Sequence, residues 1–311
     1  MILVCGEALI DIFVGSETHD RMALEGCPGG SPFNVAFGLS RLGQKVQFLT
    51  GLSNDMMGER LFRFLRAEGV GEAFLKRSTR PTTLSLVDLT AGTPAYAFYG
   101  DGAADRDLTV SEIKPLGDDI RALHFGSFST VVEPVGSALL ALAQREAGRR
   151  LIAYDPNIRK TIEPDMNVWR AKVAELAACA DVIKISDEDF EALYQQLDPA
   201  QKAQEWLKGR TSLVVLTRAG EGIRAWSHHG EMALPAPSIR LVDAVGAGDT
   251  FQAALLTALS ETGHLEPAAL AGISKDILEA CLAFAIQAAG ITCTRRGADI
   301  PRRAELPKLG H

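Results

Sequence analysis

Short apolar runs alternate with amphipathic stretches from one end of the chain to the other. Six of them read as strands: Ile2–Cys5, Val46–Leu49, Leu123–Gly126, Leu151–Asp155, Val182–Ile185 and Leu213–Thr217. Runs that are apolar at every position fit strands covered on both faces, as in a parallel sheet flanked by helices. Helices are predicted between them. Ser31-Pro32 places a capping side chain ahead of a proline at the first helical position; Val35, Leu39 and Leu42 follow at helical spacing, and Gly43 ends the segment. Glu133–Gly148 and Asn167–Cys179 read likewise, each ahead of a strand. The pattern is that of an α/β fold with a mostly parallel central sheet.

One region breaks the alternation. Thr83–Thr90 and Ala95–Gly100 are strand-like and are separated by Ala91-Gly92-Thr93-Pro94, a hairpin-length turn. With Leu9–Val14 they predict a small second sheet, about residues 9–15 and 83–100, inserted on a single body spanning 1–311. Such a sheet is either a lid over a cleft or an edge hairpin with no catalytic part. The chain shows no repeats, low-complexity tracts or long linkers.

Composition narrows the classes. A chain of 311 residues can bury roughly 75% of its unfolded surface and needs no disulfides to hold a core. With 32 Lys+Arg against 39 Asp+Glu the formal charge is −7, and the pI is near 5.5. That argues against a broad nucleic-acid or anionic-membrane surface, so a polyanionic ligand would need a local positive field. Cysteines 5, 27, 179, 281 and 293 form no C-x-x-C pair and no zinc pattern, as suits a reducing compartment. The N-terminus turns acidic by Glu7 and reads as a first strand, not a signal peptide. Ala280–Cys293, the most apolar stretch, is too short to span a bilayer. The expected location is the cytoplasm.

Five segments carry candidate chemistry. In Leu241–Phe251, a strand-like end runs into Gly246-Ala247-Gly248-Asp249 and then the apolar stretch Gln252–Leu259. Small residues at a helix start let unpaired N–H groups approach an anion, aided by the helix dipole. Asp249 inside such an anion hole suits a base that deprotonates an attacking hydroxyl; the competing reading is that Asp249 or Thr250 caps the helix. Early in the chain, Asp11 follows the first strand, and Gly29-Gly30-Ser31-Pro32-Phe33-Asn34 opens a helix. Asp and Asn beside bare backbone suit a polyhydroxy ligand, or are loop punctuation and a cap. Asp155-Pro156-Asn157-Ile158-Arg159 lies at a strand end, where open α/β sheets bind ligands. Asn157 and Arg159 there could meet a sugar and a phosphate or acidic group, or form a plain turn. Lys184-Ile185-Ser186-Asp187-Glu188-Asp189 could hold hydrated Mg²⁺ near phosphates, although acids commonly open helices. Thr217–Gly222 could pass beneath a nucleotide. No Walker A loop, dinucleotide fingerprint, G-x-S-x-G or H-E-x-x-H occurs.

Taken together, Gly29-Gly-x-x-x-Asn34 and Asp243-x-x-Gly-Ala-Gly-Asp249, with the other segments in order between them, resemble the ribokinase-like (PfkB) carbohydrate kinases over essentially the whole chain. Gly6-Glu-Ala-Leu-Ile-Asp11, Gly29–Asn34 and Asp155–Arg159 look most like the bacterial fructokinases of that family. The resemblance implies a three-layer α/β/α sandwich with a small β lid, and ATP-dependent phosphorylation of a sugar hydroxyl, most simply fructose. It implies Asp249 as catalytic base and Gly246, Ala247 and Gly248 as the anion hole. Asp11, Gly29, Gly30, Asn34 and Asn157 become sugar contacts, Arg159 reaches sugar or phosphate, and Phe98 belongs to a lid that excludes water. Lys184, Thr217 and Gly222 fall on the nucleotide side with Gly246 and Gly248. Asp189 would hold Mg²⁺ through water, and Asp243, Val245 and Gly297 would flank a monovalent cation such as K⁺.

Three positions depart from the family pattern: Ser186-x-x-Asp189 replaces N-x-x-E, Ala219 stands for a glycine, and Ala244 for a hydroxyl residue. A base at a helix start should be acidic and ionised at neutral pH. The alternatives of the same architecture are a 2-keto-3-deoxygluconate kinase or a ribose or nucleoside kinase. The alternative of another class is a sugar-binding regulator without catalysis. The expected partners are a small sugar and ATP, with neither nucleic acid nor membrane; an exposed lid could also pair with a second copy.

Overall fold

The computed structural model describes residues 1–88 and 95–309. Among them the strands, in chain order, are β1 (Ile2–Cys5), β2 (Leu9–Glu17), β3 (Met22–Gly29), β4 (Val46–Ser53), β5 (Leu75–Ser78), β6 (Thr83–Asp88), β7 (Ala95–Tyr99), β8 (Ala122–Gly126), β9 (Leu151–Asp155), β10 (Val182–Ser186), β11 (Leu213–Thr217), β12 (Ile223–Ser227) and β13 (Gly230–Leu234). The α-helices are α1 (Ser31–Arg41), α2 (Met56–Ala67), α3 (Val135–Glu146), α4 (Met166–Ala177), α5 (Asp187–Tyr194), α6 (Pro199–Leu207), α7 (Ala247–Glu261), α8 (Pro267–Ala271) and α9 (Lys275–Cys293).

Nine strands form the main sheet in the order β13-β12-β11-β10-β9-β8-β1-β4-β5. From β11 through β5 neighbouring strands are parallel, while β12 and β13 add an antiparallel hairpin at one edge. Each parallel strand is apolar at successive positions because alternate side chains enter different cores. In β1, Ile2 and Val4 pack with Phe33, Leu255 and Leu282 of α1, α7 and α9. Leu3 and Cys5 pack with Leu139 and Trp169 of α3 and α4. Helices therefore cover both faces, giving the α/β/α layers. The chain runs outward from β1 through β4 to β5, and outward the other way from β8 to β11. The reversal lies between β1 and β8, and ligands of open α/β sheets bind beyond the carboxyl ends of the strands at such a point.

The second sheet has the order β3-β2-β6-β7, with β2 antiparallel to β3, parallel to β6, and β6 antiparallel to β7. Strands β2, β6 and β7 follow the expected segments; the expected turn at 91–94 lies outside the described residues. Strand β3 was not expected. Its sequence, MALEGCPG, has no clean alternation and is solvent-exposed through Gly26, so no period-2 burial pattern exists to betray it.

The helix containing Ala280–Cys293 runs 19 residues, from Lys275, and is long and apolar enough to cross a membrane by length and composition. Ala280–Cys293 is the C-terminal part of that helix, preceded by a polar-headed turn from Lys275. Its apolarity has a local cause, since Leu278, Cys281, Leu282, Ala285 and Ala288 are buried in the core that α7 shares.

Candidate active site

Because β1, β4, β8, β9, β10 and β11 are parallel, the segments that follow them emerge on one edge of the sheet. Glu7 follows β1, Ser127 follows β8, Asn157 and Arg159 follow β9, Asp189 follows β10 and Arg218 follows β11. Helices α1 and α7 start at the same edge and lie against each other.

Asp249 sits in the first turn of α7, whose cap residue is Gly246 in the left-handed region (φ 77°). No side chain caps the helix, so the capping reading of Asp249 fails. Its carboxylate turns to α1 instead. Ser31 Oγ donates to Asp249 Oδ1 at 2.6 Å, and Asn34 Nδ2 donates to Oδ2 at 2.8 Å. The predicted capping role of Ser31 fails in parallel: Gly30 is the cap residue of α1 and no side chain caps it. Thr250 Oγ1 bonds back to the Gly246 carbonyl at 2.8 Å and meets Thr292 Oγ1 at 2.9 Å, pinning the turn that carries Asp249. Of the three amides predicted to receive an anion, that of Ala247 already donates to the Ala244 carbonyl at 3.2 Å.

Burial pushes the Asp249 carboxyl up, against the pull of the Ser31 and Asn34 hydrogen bonds and the Lys184 charge. The carboxyl is therefore less acidic than the helix start alone leads one to expect. A helix end stabilises a carboxylate by about 0.3–1 kcal/mol where exposed, whereas losing water around a charge can cost several times that.

Lys184, on β10, reaches this turn from below. Its ammonium donates to Asp155 Oδ2 at 2.8 Å, with both residues buried. A methyl on Gly248 would stand 2.9 Å from the ammonium nitrogen, so the glycine is what admits it beneath α7. The Asp155 and Asp249 charges hold the Lys184 pKa up in spite of burial. Asp155 Oδ1 is buried with no hydrogen-bond partner among the described residues.

The predicted sugar residues converge on the same place. A Cβ at Gly29 would overlap the Asp11 carboxylate, so only glycine lets β2 and β3 close there. Burial raises Asp11 to about 6, opposed by the Ser85 hydroxyl and by Arg159 and reinforced by Asp249. Asn157 takes a positive φ of 40° and is half-buried. Arg159 Nη1 donates to the Asn157 and Ile158 carbonyls at 3.4 and 3.1 Å. Phe98 lies opposite Ser85 in the β6–β7 pairing and packs edge-on against Phe128 at 6.0 Å.

Asp189 accepts the Ile158 amide at 3.2 Å through Oδ1, which ties α5 to the Asn157 loop. Burial and Asp155 raise it to about 6, against Lys184 and Arg159. Ser186, where the family has asparagine, caps α5 by accepting the Asp189 amide at 3.0 Å. Thr217 and Gly222 stand one strand further along, Thr217 beside Ser186. The turn between them closes with the Arg218 amide on the Gly222 carbonyl at 2.8 Å. Ala219 adopts φ 42° there, a conformation its Cβ disfavours. Asp243, Val245 and Gly297 meet: Asp243 Oδ1 accepts the Val245 amide at 3.0 Å and Oδ2 that of Gly297 at 2.8 Å. Among the described residues, no three His, Cys, Asp or Glu side chains are grouped to hold a metal ion.

The sequence reading missed Ser31 as a partner of Asp249, Glu7 and the Asp155–Lys184 pair. Glu7 is buried at the β1–β8 reversal, where burial raises it to about 7 against the Ser127 and Ser129 hydroxyls. A charged residue in or just after an apolar strand was the available signal: Glu7 follows β1, Asp155 ends β9 and Lys184 sits inside β10.

A buried carboxylate lies in the first turn of α7, at the edge where the doubly wound sheet reverses, an arrangement that can activate a hydroxyl beside an anion. The profile of the pfkB family carbohydrate kinases matches residues 1–305, and the chain belongs to that family. It is 38% identical over 278 residues to a fructokinase of Rhizobium leguminosarum bv. trifolii, covering 89% of this chain and 85% of that one. It is 32% identical to a fructokinase of Escherichia coli over 317 residues, 98% and 97% of the two chains. The crystal structure of fructokinase with bound ATP from Xylella fastidiosa superposes with a TM-score of 0.90 at 27% identity, covering 98% and 96%.

Proposed function

We propose that this carbohydrate kinase transfers the γ-phosphoryl group of MgATP to a hydroxyl of fructose. Asp249 accepts the hydroxyl proton, the sugar oxygen bonds to the γ-phosphorus, and ADP leaves with the electrons of the broken P–O bond. Phosphoryl transfer passes through a loose transition state, so alignment and neutralised charge dominate. The amide of Gly248 and the Lys184 ammonium lie where that charge develops; Thr217, Gly222 and Gly246 border the nucleotide side. Mg²⁺ arriving with ATP would be held through water by Asp189, with the orphaned Asp155 Oδ1 as a second hard oxygen nearby. The Asp243 carboxylate, already gathering Val245 and Gly297, offers its remaining lone pairs to a monovalent cation. Asp11, Gly29, Gly30, Asn34, Asn157 and Arg159 surround the sugar, and the β3-β2-β6-β7 sheet with Phe98 closes over it as a lid on the 1–311 body.

The observation that carries fructose over a sugar acid is the charge around Arg159. Its guanidinium is drawn onto the Asn157 and Ile158 carbonyls and acts on both Asp11 and Asp189. A substrate carboxylate would meet one cation already shared by two acids, a poor trade for its hydration; a neutral ketose needs only hydroxyl partners. The fructokinase relatives support the same choice. Five unpaired thiols suit a cytoplasmic setting, and the exposed Met22 and Leu24 of β3 suit a second copy paired through the lid.

A coupled ADP-release assay across fructose, 2-keto-3-deoxygluconate, ribose and adenosine tests the reading. Fructose is expected to give the highest kcat/KM. Preference for the sugar acid would overturn the charge argument, and saturable binding with no turnover would favour a sugar-binding regulator.

A further inference from the structure

Helix α1 begins with a serine whose hydroxyl caps nothing. It crosses instead to a carboxylate 218 residues away, where the side chains of Ser31 and Asp249 are both buried. The backbone that delivers it is tightly seated. Gly30 holds φ 106°, and a Cβ there would stand 3.0 Å from the Glu7 carbonyl oxygen and 3.3 Å from its Cγ. The start of α1 thus rests on the end of β1. Across the interface, the α7 turn is pinned by Thr250 to Gly246 and Thr292. Two rigid elements therefore face each other with one hydroxyl and one amide aimed at the two oxygens of a single carboxylate.

We infer that Ser31 is a positioning residue for the base: its hydroxyl holds Oδ1 of Asp249 while Asn34 holds Oδ2, so the carboxylate plane is set before the sugar arrives. The inference rests on Asp249 being the base. A carboxylate accepting one bond on each oxygen keeps further lone pairs for the sugar hydroxyl, and needs no reorientation as the proton transfers. Asn34 is thereby placed on the base as well as beside the sugar. The Ser31 bond has a second effect, because a donor to the charged form offsets burial and keeps Asp249 ionised at lower pH.

The test compares Ser31→Ala with the wild type at saturating fructose and ATP from pH 5 to 9. The variant is expected to lose about tenfold in kcat, the worth of one hydrogen bond to a charged group. Its KM for ATP should stay within about twofold, and the acid limb of the kcat–pH profile should move up by about one pH unit. The same upward move should appear without turnover, in the titration of the Asp249 ¹³C-carboxyl resonance, assigned by its disappearance in Asp249→Asn. Wild-type kcat in the alanine variant overturns the inference. So does a lower kcat with an unmoved acid limb, which would mark Ser31 as merely structural, and so does an unmoved resonance. If the wild type turns over none of the sugars yet Ser31→Ala still shifts the resonance, the kinase reading falls and the Ser31–Asp249 coupling stands.

Discussion

The two sheets meet water very differently. In the main sheet, β1, β8 and β9 are buried at every position, and the charged groups at their ends are buried with them. In the small sheet, β3 is exposed over its first five residues, and Met22 and Leu24 stand 48% and 52% exposed. Perturbed chemistry accordingly gathers where the carboxyl edge of the main sheet meets the buried start of β2, which carries Asp11, while the outer strand β3 contributes coverage. Burial does both jobs at once: it supplies hydrophobic free energy and withholds water from Glu7, Asp11, Asp189 and Asp249.

The sharpest break in that comparison is expected at Asp249. Asp249→Asn keeps the volume and an acceptor for Ser31 while removing the base. Turnover should fall by about 10²–10⁴-fold or more, with fructose binding measured by calorimetry largely intact. A near-normal rate would reject the base assignment.

Next in size is a pair of leucines. Leu3→Ala in β1, fully buried, should cost about 2–5 kcal/mol in chemical denaturation. Leu24→Ala in β3 should change stability by less than about 0.5 kcal/mol. A cost at Leu24 that depends on protein concentration would instead place a second copy on the small sheet.

The pH dependence of stability tests the buried acids. Glu7 moves from 4.5 to about 7 on folding, so the folded chain holds this proton more tightly. Its contribution is fully present below about pH 4.5 and is lost as pH rises through 7, a change on the order of 3 kcal/mol. Glu7→Gln should therefore show a smaller loss of Tm between pH 5 and pH 7.5 than the wild type. Equal losses would show that Glu7 is not held neutral by burial.

The smallest effect is expected on the exposed side of the site. Ala219→Gly should stabilise by up to about 1 kcal/mol, since alanine at positive φ is strained by about 1–2 kcal/mol and glycine returns part of that as unfolded-state entropy. Destabilisation by this change would show that the turn does not hold Ala219 at φ 42°.

Much of this was legible along the chain. The cores of β1, β9 and β11 and the extents of α1, α3 and α4 could be read to within a few residues, because burial on two faces, or on one helical face, imposes a period on adjacent positions. Strand β3 could not be read, because its pairing with β2 is made by backbone groups that leave no mark on side-chain polarity. The motifs around Asn34 and Asp249 announced the family. They did not announce that Ser31 and Asn34 bind Asp249 itself, nor that Lys184 slides under Gly248 to reach Asp155.

The amino-acid sequence alone determined the alternation of strands and helices, and the set of polar residues left at strand ends, since both follow from local periodicity and composition. Tertiary structure decided which of those polar groups touch and how strongly each is desolvated. Partners 215 and 218 residues apart are joined only by packing α1 on α7. The proton affinity of Asp249 is set by water lost in that packing, which no neighbouring residue encodes.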